Sequence, residues 1–128
     1  MILARRSWAD ARGLKQVAGC HPDEMGVGPI LVIAHLYKYT RFEKQDVDIF
    51  ELNEAFASQT VACINELGLD VDKVNPNGGA ISIGHPTGAT GARQVATILA
   101  ELLRRDREIG ITSMCARQVS ARLKFIYT

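Results

Sequence analysis

Cysteine is scarce, with three among 128 residues. Cys20, Cys63 and Cys115 are odd in number, widely separated and contain no CxxC pair. A disulfide framework and a zinc ribbon are both excluded, and a reducing compartment fits best. No charge of one sign dominates, since 15 basic residues stand against 14 acidic ones for a net charge of +1. The two signs alternate along the chain, so the basic footprint of a nucleic-acid binder is missing. The pairs Arg5-Arg6 and Arg104-Arg105 read as solvated. Long apolar runs are absent as well. The longest, Ile30 to Leu36, is interrupted by His35 and is far too short to cross a bilayer. Met1 to Arg6 offers neither a secretory apolar core nor a cleavage site, which points to an intracellular protein. The final Ile126-Tyr127-Thr128 is not a peroxisomal tripeptide, and cytoplasm, peroxisome and mitochondrion are not distinguished.

What remains is an ordinary globular composition, 47% apolar and 23% charged, at the length of a single domain with one core. Ser7 to Gly13 suits a short helix, and Gly19 to Pro29 is a turn-rich loop. Ile30, Ile33, Ala34 and Tyr37 recur at helical spacing behind Pro29. Val47 to Leu52 largely alternates apolar and acidic residues, as a strand with one buried face does. A helix follows with Ala55, Phe56, Ala62, Cys63 and Leu67 on its apolar side, Asn53 as its cap and Gly68 at its end. After the short apolar segment Ala80 to Ile83 comes a helix over Ala89–Arg104, with Ala92, Val95, Ala96, Leu99, Leu102 and Leu103 as its inner stripe. Glu108 to Met114 and Leu123 to Tyr127 read as strands. Alternating strands and helices predict an α/β fold with helices layered on a mixed sheet.

Three short motifs could carry chemistry. In Gly84-His85-Pro86-Thr87-Gly88 the glycines permit φ > 0 and close approach of a ligand, and the helix starting near Thr90 turns its positive end toward the loop. Without other information an exposed histidine in a glycine turn explains the pattern as well. No lysine follows the glycines, which weakens a phosphate loop and with it a nucleotide-binding domain. Asn53-Glu54-Ala55-Phe56 lies where a strand hands over to a helix, a position that often faces a ligand crevice. Asn53 there is either a helix cap or a hydrogen-bond donor to a ligand or water, and Glu54 either supports the loop or acts on substrate. Cys115 closes a predicted strand that would carry its thiol to a sheet edge, where a neighbouring imidazole would make it a usable base or nucleophile; taken by itself, a buried inert cysteine is the better reading. Cys63 reads as core packing, and Cys20 beside His21 lacks a third ligand.

Taken in order and spacing, Asn53-Glu54-Ala55-Phe56, Gly78-Gly79-Ala80 through Gly84-His85-Pro86 and Gly88, and Ser113-Met114-Cys115 resemble the C-terminal half of a thiolase. Met25-Gly26-Val27-Gly28-Pro29 and Gly91-Ala92-Arg93 extend the likeness, which is strongest over residues 25–115 of a single domain spanning 1–128. Within the family it leans toward the 3-ketoacyl-CoA thiolases of fatty-acid β-oxidation. The resemblance implies a βαβαβαββ half, here incomplete, and an acyltransferase that cleaves 3-ketoacyl-CoA into acetyl-CoA and a shortened acyl-CoA. It makes His85 the activator of a nucleophilic cysteine and a partner of the thioester oxygen. It makes Asn53 the holder of an oxyanion-site water, and Cys115 the acid/base at the acetyl-CoA carbon. Met25 and Phe56 would line the acyl and pantetheine pocket, with Gly84 and Gly88 beside the substrate. Coenzyme A enters as substrate, and no other cofactor and no metal is implied.

The chain also departs from that pattern. After Cys115 the family continues Cys-x-Gly, whereas Arg117 stands at the glycine position, where a long side chain crowds the oxyanion site. Between Lys15 and Gly19 the chain is short by about a strand's worth of residues, which would cost the sheet an edge. The nucleophile half is not within these 128 residues, so the chain alone is expected to be inactive and to pair with such a half or to self-associate. The rival expectation is a non-catalytic acyl-CoA-binding or dimerisation module that keeps the half-fold.

Overall fold

A computed structural model of the chain describes residues 15–40, 42–116 and 120–127. The elements run β1 (Lys15–Ala18), α1 (Gly28–Thr40), β2 (Ile49–Leu52), α2 (Ala57–Leu67), α3 (Ala80–Ile83), α4 (Thr90–Arg105), β3 (Ile109–Ala116) and β4 (Ser120–Tyr127). Among the described residues this is one strand short of the family repeat. The predicted helix over Ser7 to Gly13, the Arg5-Arg6 pair and Arg117 lie outside the described residues.

The sheet order is β1-β4-β3-β2. β2 and β3 run parallel with Leu52 opposite Ser113, while β4 is antiparallel to both β3 and β1. The parallel pair requires a crossover, and α2, α3 and α4 supply it. The mixed sheet expected from the alternating elements is present, with β1 at one edge and β2 at the other.

Successive β2 side chains point to opposite faces, and both faces are covered. Phe50 and Leu52 join Val32, Ile33 and Leu36 of α1, Cys63 of α2 and Ile111 in one core. Ile49 joins Ile98, Leu99 and Leu102 of α4 in a second core across the sheet. Cys63 packs in the core as expected. The acidic alternation in residues 47–52 suggested a half-exposed strand, yet β2 is buried throughout. Its acidic side chain is accommodated by a partner: Glu51 is 1% exposed and lies 2.8 Å from Arg93. Asp48, just before the strand, accepts hydrogen bonds from the backbone N–H groups of Glu108 and Ile109 at 3.1 and 3.0 Å, fixing the start of β3.

The helix faces also differ from the pattern. α1 buries Pro29, Val32, Ile33 and Leu36, with Ile30 and Tyr37 at the margin. On α2 the buried residues are Gln59, Thr60 and Cys63, and Ala62 faces out. α4 buries Thr90, Gln94, Ile98, Leu99, Glu101 and Leu102, whereas Ala92, Ala96 and Leu103 are exposed. Polar residues turn inward there because they have inward partners. Glu101 receives hydrogen bonds from Asn77, at 3.0 Å, and from Arg104 and Arg105. Arg104 and Arg105 are therefore ion-paired and not merely solvated, and the Arg104 guanidinium holds the Glu101 carboxyl down at about 2. Gly68 ends α2 at φ 58°, the left-handed conformation in which glycine is favoured.

Candidate active site

The C-terminal ends of β2 and β3 carry two of the three chemical groups. Asn53 follows β2 directly, and its backbone N–H donates to the Ser113 carbonyl at 2.9 Å. Cys115 lies two residues further along β3. The expected cap role of Asn53 is not found: α2 begins at Ala57 with Phe56 as its cap residue. The Asn53 side chain is instead 1% exposed, and neither its amide nitrogen nor its oxygen has a hydrogen-bond partner among the described residues. A buried amide with both ends unpaired is uncommon, and such groups concentrate where a water or ligand completes them. The Ser113 hydroxyl, on the residue whose carbonyl accepts from the Asn53 N–H, is likewise unpartnered among the described residues.

His85 comes to the same end of the sheet from another direction. α3 stops at Gly84, whose φ of 95° excludes most side chains, and the chain then turns through residues 85–89 into α4. The imidazole is exposed, but its Nδ1 lies 2.7 Å from the Thr90 hydroxyl oxygen. That hydroxyl belongs to a fully buried residue and donates to the Pro86 carbonyl at 3.0 Å. One ring nitrogen is thereby anchored to the first residue of α4, and Nε2 is left for chemistry. One turn later Gln94 fixes the helix to the strands, its amide donating to the carbonyls of Glu51 at 2.9 Å and Ser113 at 3.2 Å. The His85 turn is thus tied to the strand ends that carry Asn53 and Cys115.

The electrostatics follow from burial. Cys115 is half-buried, and burial pushes its thiol up, with the nearby Cys20 thiol adding to the effect. At neutral pH it is a protonated thiol, a proton donor before it is a base. It lies past the end of β2, whose last residue Leu52 stands opposite Ser113, so that only β4 runs beside it. Burial also raises the Glu51 carboxyl to about 7, outweighing the opposing pull of the Arg93 guanidinium. That pair joins β2 to α4 beside the site, and Oε1 of Glu51 and Nε and Nη2 of Arg93 are buried without partners.

The remaining predicted residues sit around this end. Phe56 is 71% exposed, three residues beyond Asn53. Met25 is 39% exposed in the 3-10 turn Pro22–Val27. That turn packs on α2, where the Cys63 thiol lies 3.8 Å from the Gly26 carbonyl. A methyl group placed on Gly84 or Gly88 would meet nothing within 4 Å, so the space beside both is open. No group of three or more His, Cys, Asp or Glu side chains suited to a metal ion occurs among the described residues. No helix among them is long and apolar enough to cross a membrane. Sequence reasoning missed Thr90, Gln94 and Asn75. A hydroxyl at the start of a helix five residues after a histidine, and a glutamine interrupting an apolar stripe, were the signals for the first two.

The result is an α/β half-fold in which one end of the parallel strands carries an unpartnered amide and a half-buried thiol, with an anchored imidazole tied to it through α4. The chain belongs to the thiolase family, residues 7–124 matching the thiolase C-terminal domain. It is 52% identical over 123 residues to the peroxisomal 3-ketoacyl-CoA thiolase of Saccharomyces cerevisiae, a match covering 90% of this chain and 29% of that protein. Peroxisomal 3-ketoacyl-CoA thiolase B of Mus musculus is 50% identical over 124 residues, with the same coverage. Among solved structures, the peroxisomal thiolase of S. cerevisiae superposes with a TM-score of 0.83 at 49% identity, covering 92% of this chain and 34% of that one; it is described as five layers built from two core domains of identical topology. Human mitochondrial 3-ketoacyl-CoA thiolase in complex with CoA gives a TM-score of 0.85 at 38% identity, covering 89% of this chain and 29% of that one. The chain therefore spans about 29–34% of the length of these relatives.

Proposed function

We propose that this chain, as a single thiolase C-terminal-like domain, supplies the base, the oxyanion-site amide and the acid/base thiol for thiolytic cleavage of 3-ketoacyl-CoA. A second, N-terminal thiolase half supplies the nucleophilic cysteine. The observation that carries the reading is an Asn53 amide, buried past the end of β2, with no partner among the described residues; an imidazole anchored through Nδ1 and a half-buried protonated thiol support it.

In this mechanism His85 takes the proton of the nucleophilic cysteine at Nε2. In the form that accepts it, the ring carries its other proton on Nδ1, donated to the Thr90 hydroxyl, whose own proton goes to Pro86. The nucleophile attacks the 3-keto carbon of the substrate, the bond between C2 and C3 breaks, and the electron pair leaves as the enolate of acetyl-CoA. Cys115 protonates that enolate at carbon. A water held by Asn53, together with His85, stabilises the thioester oxygen as charge develops on it. Cys115, then a thiolate, removes the proton of the incoming CoA thiol, which releases the shortened acyl group. Met25 and Phe56 border the acyl and pantetheine path, and the open space at Gly84 and Gly88 leaves room for the thioester.

Pairing with another half is supported by α4, which is apolar on both sides. Ile98, Leu99 and Leu102 face the sheet, while Ala92, Ala96 and the 60% exposed Leu103 face away from it. Exposed apolar surface of this kind marks an interface. The test is thiolysis of acetoacetyl-CoA with added CoA, by the chain alone and after addition of an N-terminal thiolase half. Activity is expected only in the mixture, and His85→Ala should abolish it. Turnover by the chain alone above its His85→Ala control, or a mixture indifferent to that substitution, would overturn the reading.

A further inference from the structure

Asn53 and His85 stand on separate loops, yet the proposed chemistry requires both to face one thioester oxygen, and a misplacement of about 1 Å in such a site costs on the order of a hundredfold in rate. Something must set the separation between the loops. The residue next to Asn53 bridges toward the His85 loop. The Glu54 carboxylate accepts from the Asn75 side-chain amide at 3.0 Å through Oε1 and from the Ile81 backbone N–H at 3.1 Å through Oε2. Asn75 in turn reads the end of β2 as a strand would. Its Nδ2 donates to the Leu52 carbonyl at 2.9 Å, its Oδ1 accepts from the Leu52 N–H at 2.9 Å, and its own N–H donates to the Phe50 carbonyl at 2.8 Å.

The path from Glu54 to His85 is short and stiff. Ile81 lies in the first turn of α3, where a backbone N–H has no acceptor within the helix, and the single turn closes with Gly84 N–H donating to the Ala80 carbonyl at 2.9 Å. His85 is the next residue. Two backbone features leave space for the carboxylate. Asn75 takes the left-handed conformation at φ 47°, and a methyl group on Gly79 would collide with the Glu54 carboxylate. Both carboxylate oxygens are engaged by donors from the fold itself, one on each arm.

We propose that Glu54 is a positioning residue, a two-armed clamp that holds the His85 turn at a fixed distance from the Asn53 amide. Its catalytic meaning rests on the thiolase reading above. The geometry also says which substitutions loosen it. Glu54→Gln keeps the size but replaces one acceptor oxygen with an NH2 group, which then faces a donor. Gly79→Ala pushes the carboxylate aside without touching either loop residue.

The test has two arms. In the isotope-labelled 128-residue chain, amide hydrogen exchange at Ile81 is expected to quicken at least tenfold in Glu54→Gln and in Gly79→Ala, while exchange in the core at Ile98 and Ile111 is unchanged. In the mixture with an N-terminal half, both variants are expected to lower kcat by roughly ten- to a hundredfold with KM within about twofold, because alignment and not binding is lost. Unaltered exchange at Ile81, or an unaltered kcat in an active mixture, overturns the clamp. A mixture inactive even with the unsubstituted chain counts against the thiolase reading instead, and the exchange arm then decides the clamp by itself.

Discussion

Replacing Asn53 with leucine should stabilise this chain. The side chain is 1% exposed with both polar ends unpartnered among the described residues, and leucine has a similar shape. A buried donor or acceptor without a partner costs about 1–3 kcal/mol. Two such ends set an upper bound of roughly 6 kcal/mol, and an enclosed water returns part of it. The expected gain for Asn53→Leu is therefore about 1–3 kcal/mol, or a rise in Tm of roughly 3–6 °C for each kcal/mol in a domain of this size. The backbone N–H bond to Ser113 survives the change. Urea denaturation followed by circular dichroism measures the difference, provided the slope with denaturant is the same for both proteins. In the mixture with an N-terminal half the same substitution should lower kcat by about 10²–10³, as removal of an oxyanion donor does. A gain in stability with a loss of rate is the signature of a group kept for chemistry at the expense of the fold. A loss of about 1 kcal/mol or more on substitution would refute the reasoning, because the amide would then be making bonds that hold the fold together.

Further expectations concern protons and packing. With the Glu51 carboxyl raised from 4.5 to about 7 by burial, its contribution favours the folded state fully below pH 4.5 and is lost as pH rises through 7. Unfolding free energy should fall by about 3 kcal/mol across that window, and Glu51→Gln should flatten the profile. Thr90→Val removes the anchor of His85, so long-range proton–nitrogen NMR of the ring should show the Nδ1–H form in the unsubstituted chain and a shift toward the Nε2–H form in the variant. Unchanged ring signals would remove Thr90 from the account. Truncating the fully buried Ile98 to alanine should destabilise the chain by about 2–5 kcal/mol in the same denaturation assay.

The sequence was most legible where spacing alone decides. α1 and α4 appear within two residues of the predicted ends, α2 starts three residues later than a cap at Asn53 implies, and the mixed sheet follows from element order. It was least legible where a polar residue has an inward partner. Glu51 made β2 look half-exposed because the sequence does not display Arg93 across the sheet, 42 residues away. Gln94 and Glu101 turned the buried stripe of α4 away from Ala92, Ala96 and Leu103 for the same reason. Asn53 has the residue type of a helix cap, and only its position on the extended end of β2, three residues before Phe56, shows that it does not cap. Glu54 was ambiguous in sequence because its two donors, Asn75 and Ile81, are 21 and 27 residues distant. The short Ala80 to Ile83 segment became a single helical turn with Ile81 65% exposed, which hydrophobicity gives no reason to expect.

The account depends most on the claim that one small ligand meets the amide, the imidazole and the thiol together. A crystal structure of the chain assembled with an N-terminal thiolase half and acetyl-CoA measures this directly. The thioester oxygen should lie about 2.7–3.2 Å from His85 Nε2 and from a water bound to Asn53, with the acetyl methyl group facing Cys115 Sγ. A thioester seated away from these groups, or an Asn53 amide bonded within the protein and turned from the ligand, would contradict it.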